Sequence, residues 1–304
     1  MTSTLDQPLK SPTFQAVSGR RKFTNNLATV LVTASVLIAV VPLVWVLWTV
    51  IAKGLGAVLS STWWLNSQSG MTAFAPGGGV YHAIVGSLLQ ALVCAIISIP
   101  VGVFVGIYLV EYGGGTRLGK ITTFMVDILT GVPSIVAALF IYALWVATLG
   151  FERSGFAVSL ALVLLMIPVI VRSTEEMLRI VPMDLREASY ALGVPKWKTI
   201  SAIVIPTALS GIVTGILLSL ARVMGETAPL LILVGYAQAI NFDMFGGFMG
   251  SLPGMMYDQV SAGAGANPVP TDRLWGAAFT LIVVIAALNV GARFIAKFFA
   301  PKKV

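Results

Sequence analysis

The sequence predicts an all-α, polytopic membrane protein with about six transmembrane helices. Three observations carry the prediction. Hydrophobic residues make up 57% of the 304 and charged residues only 10%. A soluble domain carries about 25% charged residues. Mean hydropathy is +0.93, and apolar runs of span length recur along the chain. The Lys and Arg residues, finally, alternate between the segments that join those runs in the manner of an oriented membrane protein.

The spans can be drawn in order. The first covers residues 27–52 (LATVLVTASVLIAVVPLVWVLWTVIA), the second 82–110, the third 121–149 and the fourth 156–172. The fifth begins near 203 and reaches at least 222, and the sixth covers 274–296. Each approaches or exceeds the ~20 residues needed to cross ~30 Å of hydrocarbon. The second and third exceed it, which tilt or extension into the interface absorbs. Residues 1–26 are polar and form an N-terminal tail. The run that follows is span-length and lacks a small-residue cleavage site, so it reads as an anchor rather than a cleavable signal. The organisation is thus a tail at 1–26, a membrane domain at 27–299 and a short tail at 300–304.

Orientation follows from the cations. With the N-terminus inside, Lys10, Arg20, Arg21, Lys22, Arg117, Lys120, Arg172, Arg179, Arg186, Lys196, Lys198, Arg293, Lys297, Lys302 and Lys303 fall on the inner side. Only Lys53, Arg153 and Arg273 fall outside, and Arg222 falls within a span. This asymmetry places both termini in the cytoplasm of a cell-membrane protein. It also accounts for the net charge of +7 without nucleic acid.

The outer segments 53–81 and 230–273 are long. Trp63 and Trp64 are expected at the outer membrane surface, and LLILVGYA at 230–237 as a re-entrant or interfacial piece. His82 reads as a membrane-surface histidine and Cys94, the one cysteine, as a small buried hydrophobe. Together they offer no metal cluster. Gly114 to Lys120 fits the G-x4-G-K spacing of a phosphate loop, but Ile121 stands where a Ser or Thr must bind magnesium, so no ATP hydrolysis is expected of this chain.

Residues 173–202 (STEEMLRIVPMDLREASYALGVPKWKTISA) form the unusual inner segment, charged in both signs. Pro182 and Pro195 punctuate it. A short helix is expected over 183–192, closed by Gly193. Leu185, Ala188, Ala191 and Leu192 share one face, with Asp184, Arg186 and Glu187 largely elsewhere. Such a helix must press its apolar face on something: a partner, or its own spans and lipid.

The same segment carries a resemblance. Glu187-Ala188-Ser189, then Gly193, Ile203 and Ile205-Pro206, is similar to the E-A-A-x3-G-x9-I-x-L-P loop of binding-protein-dependent ABC importer permeases. Ser189 stands for Ala and Ile205 for Leu. GGGVYHAIVGSLLQ (77–90), IPVGVFVGIYLVEY (99–112), DILTGVPSIV (127–136), RSTEE (172–176) and ARVMGETAPLLI (221–232) resemble the PstA-type permeases of bacterial phosphate importers. The resemblance covers residues 77–299. It implies a type I ABC importer permease fold, with Glu187, Ala188 and Gly193 in a coupling helix that docks on an ATPase subunit. It further implies a second permease subunit of the PstC type, an ATPase dimer that binds the ATP, an extracytoplasmic phosphate-binding protein and inorganic phosphate as cargo. This chain itself would need no cofactor, and its partners besides these are membrane lipids. A permease for another oxyanion, such as sulfate or molybdate, would share the architecture.

Within the spans, Arg222 and Glu226 lie one helical turn apart. Charges in the bilayer are costly and usually mark a pathway. A guanidinium offers an oxyanion a bidentate fork, and a nearby carboxylate keeps binding weak enough for release. The plainer alternative is an ion pair that neutralises itself. Arg172, at the inner end of the fourth span, is a second expected anion contact, against snorkelling to the inner surface. Glu175 and Glu176 are expected as interface charges, and Asp127 as a helix-end or packing residue.

Overall fold

Lipid supplies no hydrogen-bond partners, so an apolar run that enters it must satisfy its backbone internally. The apolar runs accordingly fold as helices. The computed structural model describes residues 18–299, with side chains to Phe294. Lys10, Lys302 and Lys303, the side chain of Lys297 and the tail at 300–304 lie outside the described residues. The chain divides at Thr49. Up to that point the described residues form the first part of α1 (Gly19–Val58), whose large apolar side chains are exposed. Since α1 starts at Gly19, the polar tail expected up to residue 26 already contains helix.

From Val50 onward the elements follow in chain order. After α1 come α2 (Ser61–Leu65) and α3 (Tyr81–Ile107), which a π-helical turn extends to Tyr112. The third apolar run is not one helix, as expected for 121–149. It breaks into α4 (Arg117–Thr130) and α5 (Ser134–Ile141), the latter continued as π-helix to Thr148, with a bend of 107° between them. The reason is local: Gly131 closes α4, and Pro133, which has no N–H to donate, precedes the first turn of α5. The bent pair nevertheless runs the length of α6 (Gly155–Ile180). Asp127 of α4 pairs with Arg172, and Trp145 beyond α5 meets Phe156. Those two α6 positions are roughly 24 Å apart at helical rise. Among the described residues, 5 helices are long and apolar enough to cross a membrane, or 6 segments with the bent pair counted once.

Helix α6 is the centre of the packing. Two thirds of its most apolar stretch (67%) is buried, against 33% or less for the other four unbroken candidate spans. Small residues bring its neighbours close. Gly102 and Gly106 of α3 lie against Ile170 and Thr174. On an adjacent face of α6, Gly211 and Gly215 of α9 (Ile205–Met224) lie against Met177 and Ser173. Cys94 is buried among Ala157, Ala161 and Met166, as its composition predicts. α6 continues to Ile180, so the first residues of the expected loop at 173–202 are its last turns. Intrahelical pairing of Glu175 with Arg172 and Arg179 lets that charged stretch stay helical.

The remaining elements are α7 (Met183–Ala191), α8 (Lys196–Thr199) leading by a π-helical turn into α9, then α10 (Ala228–Leu233), α11 (Leu252–Ser261) and α12 (Pro268–Phe299). α10 is packed into the protein: Pro229, Leu230 and Leu233 are buried, and its carbonyls at Leu231 and Leu233 accept from Arg153 and Ser154. The outer segments fold inward on the same principle. Trp63, expected to face the membrane surface, is buried in the protein, its indole N–H donating to Thr280 at 2.9 Å. His82 is likewise buried, 2.7 Å from the Tyr236 hydroxyl. Arg273 donates to the carbonyls of Ala75 (2.6 Å) and Gly77 (3.0 Å) and so pins the loop between α2 and α3.

Candidate functional site

Helix α9 carries Arg222, the cation that the sequence places within a span. Its exposed residues Thr207, Ser210, Thr214, Leu218 and Arg222 recur at helical spacing, so they form a single stripe. The hydroxyls of Thr207 and Thr214 donate to the carbonyls of Ile203 and Ser210, which makes the stripe tolerable in an apolar span. The opposite face, with Ala208, Ile212, Ser219 and Val223, is buried. Sequence reasoning placed Arg222 but missed Thr207, Ser210 and Thr214. Their spacing from Arg222 was the available signal.

Gly225 ends α9 one turn beyond Arg222, its N–H bonded to the Arg222 carbonyl. The chain then turns, which brings Glu226 back to Arg222 at 3.6 Å. The two partners differ in environment: the Arg222 side chain is 51% exposed and Glu226 17%. Glu226 faces inward onto a cavity of about 10 Å³ that Ser87, Gln90 and Ser251 also line. The guanidinium therefore stands on the exposed stripe with its carboxylate behind it, and keeps donors free for an anion.

Arg172 is differently placed. Its guanidinium donates to Glu175 at 2.7 Å and pairs with Asp127, while Glu175 also accepts from Arg179 at 2.7 Å. Glu175 is the buried hub of this network rather than an interface charge, and Asp127, in the last turn of α4 as a helix-end residue, is also an ion-pair partner. Ser173 meets α9 at Gly215, and Arg222 lies a further ~10 Å along that helix. The structure thus joins Arg222 to Glu226 but sets Arg172 apart, with two carboxylates already on it.

The loop between α6 and α9 has the geometry of a display. Pro182 precedes α7, and Gly193 follows with φ +76°. The Gly193 N–H donates to Tyr190 and the Val194 N–H to Ser189, the paired bonds of a Schellman ending that needs a left-handed residue. Arg186 and Ser189 are the buried side chains of α7; Glu187 and Ala188 are exposed. The face of Leu185, Ala188, Ala191 and Leu192 does not lie on the chain's own spans. It is turned outward, with Leu192 84% exposed.

Comparison with known proteins agrees with this architecture. Residues 98–304 match the family model described as the binding-protein-dependent transport system inner membrane component. The "Phosphate transport system permease protein PstA 1" of Mycobacterium tuberculosis (strain CDC 1551 / Oshkosh) is 55% identical over 98% of this chain and 97% of its own. The PstA protein of Mycobacterium leprae is 56% identical over 99% and 97%, and that of Pasteurella multocida 40% over 93% and 96%. Among solved structures, a bacterial ABC transporter for import of the acidic polysaccharide alginate matches with TM-score 0.59 at 12% identity, over 91% of this chain and 98% of that one. An inward-facing MetNI methionine ABC transporter matches with TM-score 0.55 at 17% identity, over 73% and 94%. These likenesses establish the fold. The chain belongs to the binding-protein-dependent transport system inner membrane components, as a multi-pass permease subunit of the PstA type.

Proposed function

We propose that this chain is the transmembrane subunit of an ATP-driven phosphate importer and forms half of its translocation path. The observation that carries the reading is the exposed polar stripe of α9 with Arg222 at its end. Hydroxyls and a guanidinium are poorly suited to lipid, so this face belongs against a second permease subunit with an aqueous path between them. Arg222 holds the oxyanion there, and Glu226 limits the affinity so that the anion leaves. Relatives 55% identical bear phosphate transport in their names, which favours phosphate over sulfate or molybdate.

The outward-turned α7 docks in the ATPase subunit through Glu187, Ala188 and its apolar face, with Gly193 setting its angle. An ATPase dimer binds and hydrolyses the ATP, a binding protein delivers phosphate from outside, and both termini lie in the cytoplasm. Arg172, held by Asp127 and Glu175, contacts phosphate only by exchanging one of those carboxylates for it. The test is uptake of labelled phosphate in cells lacking other phosphate transporters. Excess arsenate should compete, as a near-isosteric oxyanion, and sulfate and molybdate should not. Competition by sulfate equal to that by unlabelled phosphate refutes the assignment of substrate.

A further inference from the structure

The buried side of α7 contains a charge that docking alone does not require. Arg186 and Glu111 form an ion pair at 3.0 Å, with side chains only 8% and 6% exposed. The same guanidinium donates to the carbonyls of Leu178 at 2.9 Å and Val181 at 3.2 Å, at the end of α6. Glu111 lies in the π-helical turn that ends the α3 span. From the other side of the loop, Lys196 reaches the Glu111 carbonyl and stands 4.6 Å from the Tyr112 ring. The Ser189 and Thr199 hydroxyls, 2.8 Å apart, tie α7 to α8.

We propose that Arg186 and Glu111 are positioning residues for transport: their buried pair passes the movement of α7 to the cytoplasmic ends of α3 and α6. The inference rests on the reading of α7 as the docking helix. The chain itself joins α7 to α6 and, through α8, to α9. α3 is not a chain neighbour, and the polar links described here reach it at Glu111. Stability gives no reason to prefer charge in this place, since an apolar pair of similar volume generally serves a buried site as well or better. Salt-bridge geometry does fix one register of three elements, which a mechanical link needs and an apolar contact does not supply.

The test uses the full complex in vesicles: this chain, the second permease subunit, the ATPase and the binding protein. ATP hydrolysis and phosphate uptake are read on the same vesicles, giving phosphate moved per ATP. Glu111→Gln should leave the ATPase bound and hydrolysis near the wild-type rate, while phosphate per ATP falls about tenfold. Arg186→Met combined with Glu111→Leu removes both charges and keeps packing volume. It should assemble normally and still show the lowered ratio. A wild-type ratio in either variant overturns the proposal; recovery in the double variant would make the pair a matter of stability only. Docking is scored separately, by protection of Leu192→Cys from a thiol reagent when the ATPase is bound, in a Cys94→Ala background. Absence of protection removes the docking reading, and protection with an unchanged ratio removes the positioning role alone.

Discussion

Replacing Arg222 by Gln separates transport from structure, because the two roles differ in size. As a structural pair, Arg222 and Glu226 are 3.6 Å apart with the arginine 51% exposed. A half-exposed pair at that distance is worth less than about 1 kcal/mol, so Arg222→Gln should leave the complex at its normal level. As an anion contact the guanidinium supplies charge-assisted hydrogen bonds, each worth about 1.5–3 kcal/mol. Loss of two such bonds, discounted for a wet path to about 3 kcal/mol, lowers uptake roughly a hundredfold. Arg222→Lys should retain part of the activity, since the ammonium keeps the charge and loses the fork. The assay is labelled phosphate uptake in cells without other phosphate transporters, with complex level checked by pull-down on the ATPase. The decisive variant combines Arg222→Gln with Glu226→Gln. If the arginine only neutralises Glu226, two amides relieve the orphaned charge and uptake returns. Full uptake in that double variant would refute the transport role of both residues.

Three other outcomes follow from particular geometries. Gly193→Val should reduce ATP-driven uptake while the chain still inserts: the space around Gly193 is open, so the cost comes from its φ of +76°, about 1–3 kcal/mol for a branched residue. Normal uptake would show that the ending of α7 is not needed for coupling. In a Cys94→Ala background, cysteines at the exposed positions Ser69 and Ala266 should react with an impermeant thiol reagent added outside, and one at Lys198 should not; the reverse pattern refutes cytoplasmic termini. Gly102→Ala should lower the thermal stability of the complex in detergent by about 1–3 kcal/mol, because its Cβ would stand 2.7 Å from Ile170 in a close-packed helix contact. An unchanged Tm would mean that α3 and α6 can separate freely.

By itself the sequence determined the class, the order of the spans and the family loop. Each of these is written in local terms: apolar length, cation asymmetry, and the spacing from Glu187 to Pro206. It also placed Gly193 correctly, since a left-handed helix ending is a property of a few adjacent residues. Tertiary structure alone decided which charges are free. Arg172, Arg186 and Arg273 look alike in sequence, as basic residues beside apolar runs. Each has a partner far away along the chain, in Asp127, Glu111 and the Ala75 and Gly77 carbonyls. The same holds for His82 and Trp63, whose burial depends on Tyr236 and Thr280. It decided, too, which way α7 faces. Amphipathicity requires that an apolar face be covered but does not say by what, and only the anchoring of Arg186 on the side of the spans turns Leu185 and Leu192 outward. Pairing and facing are relations between distant residues, and a one-dimensional pattern records them only when they repeat, as the stripe from Thr207 to Arg222 does.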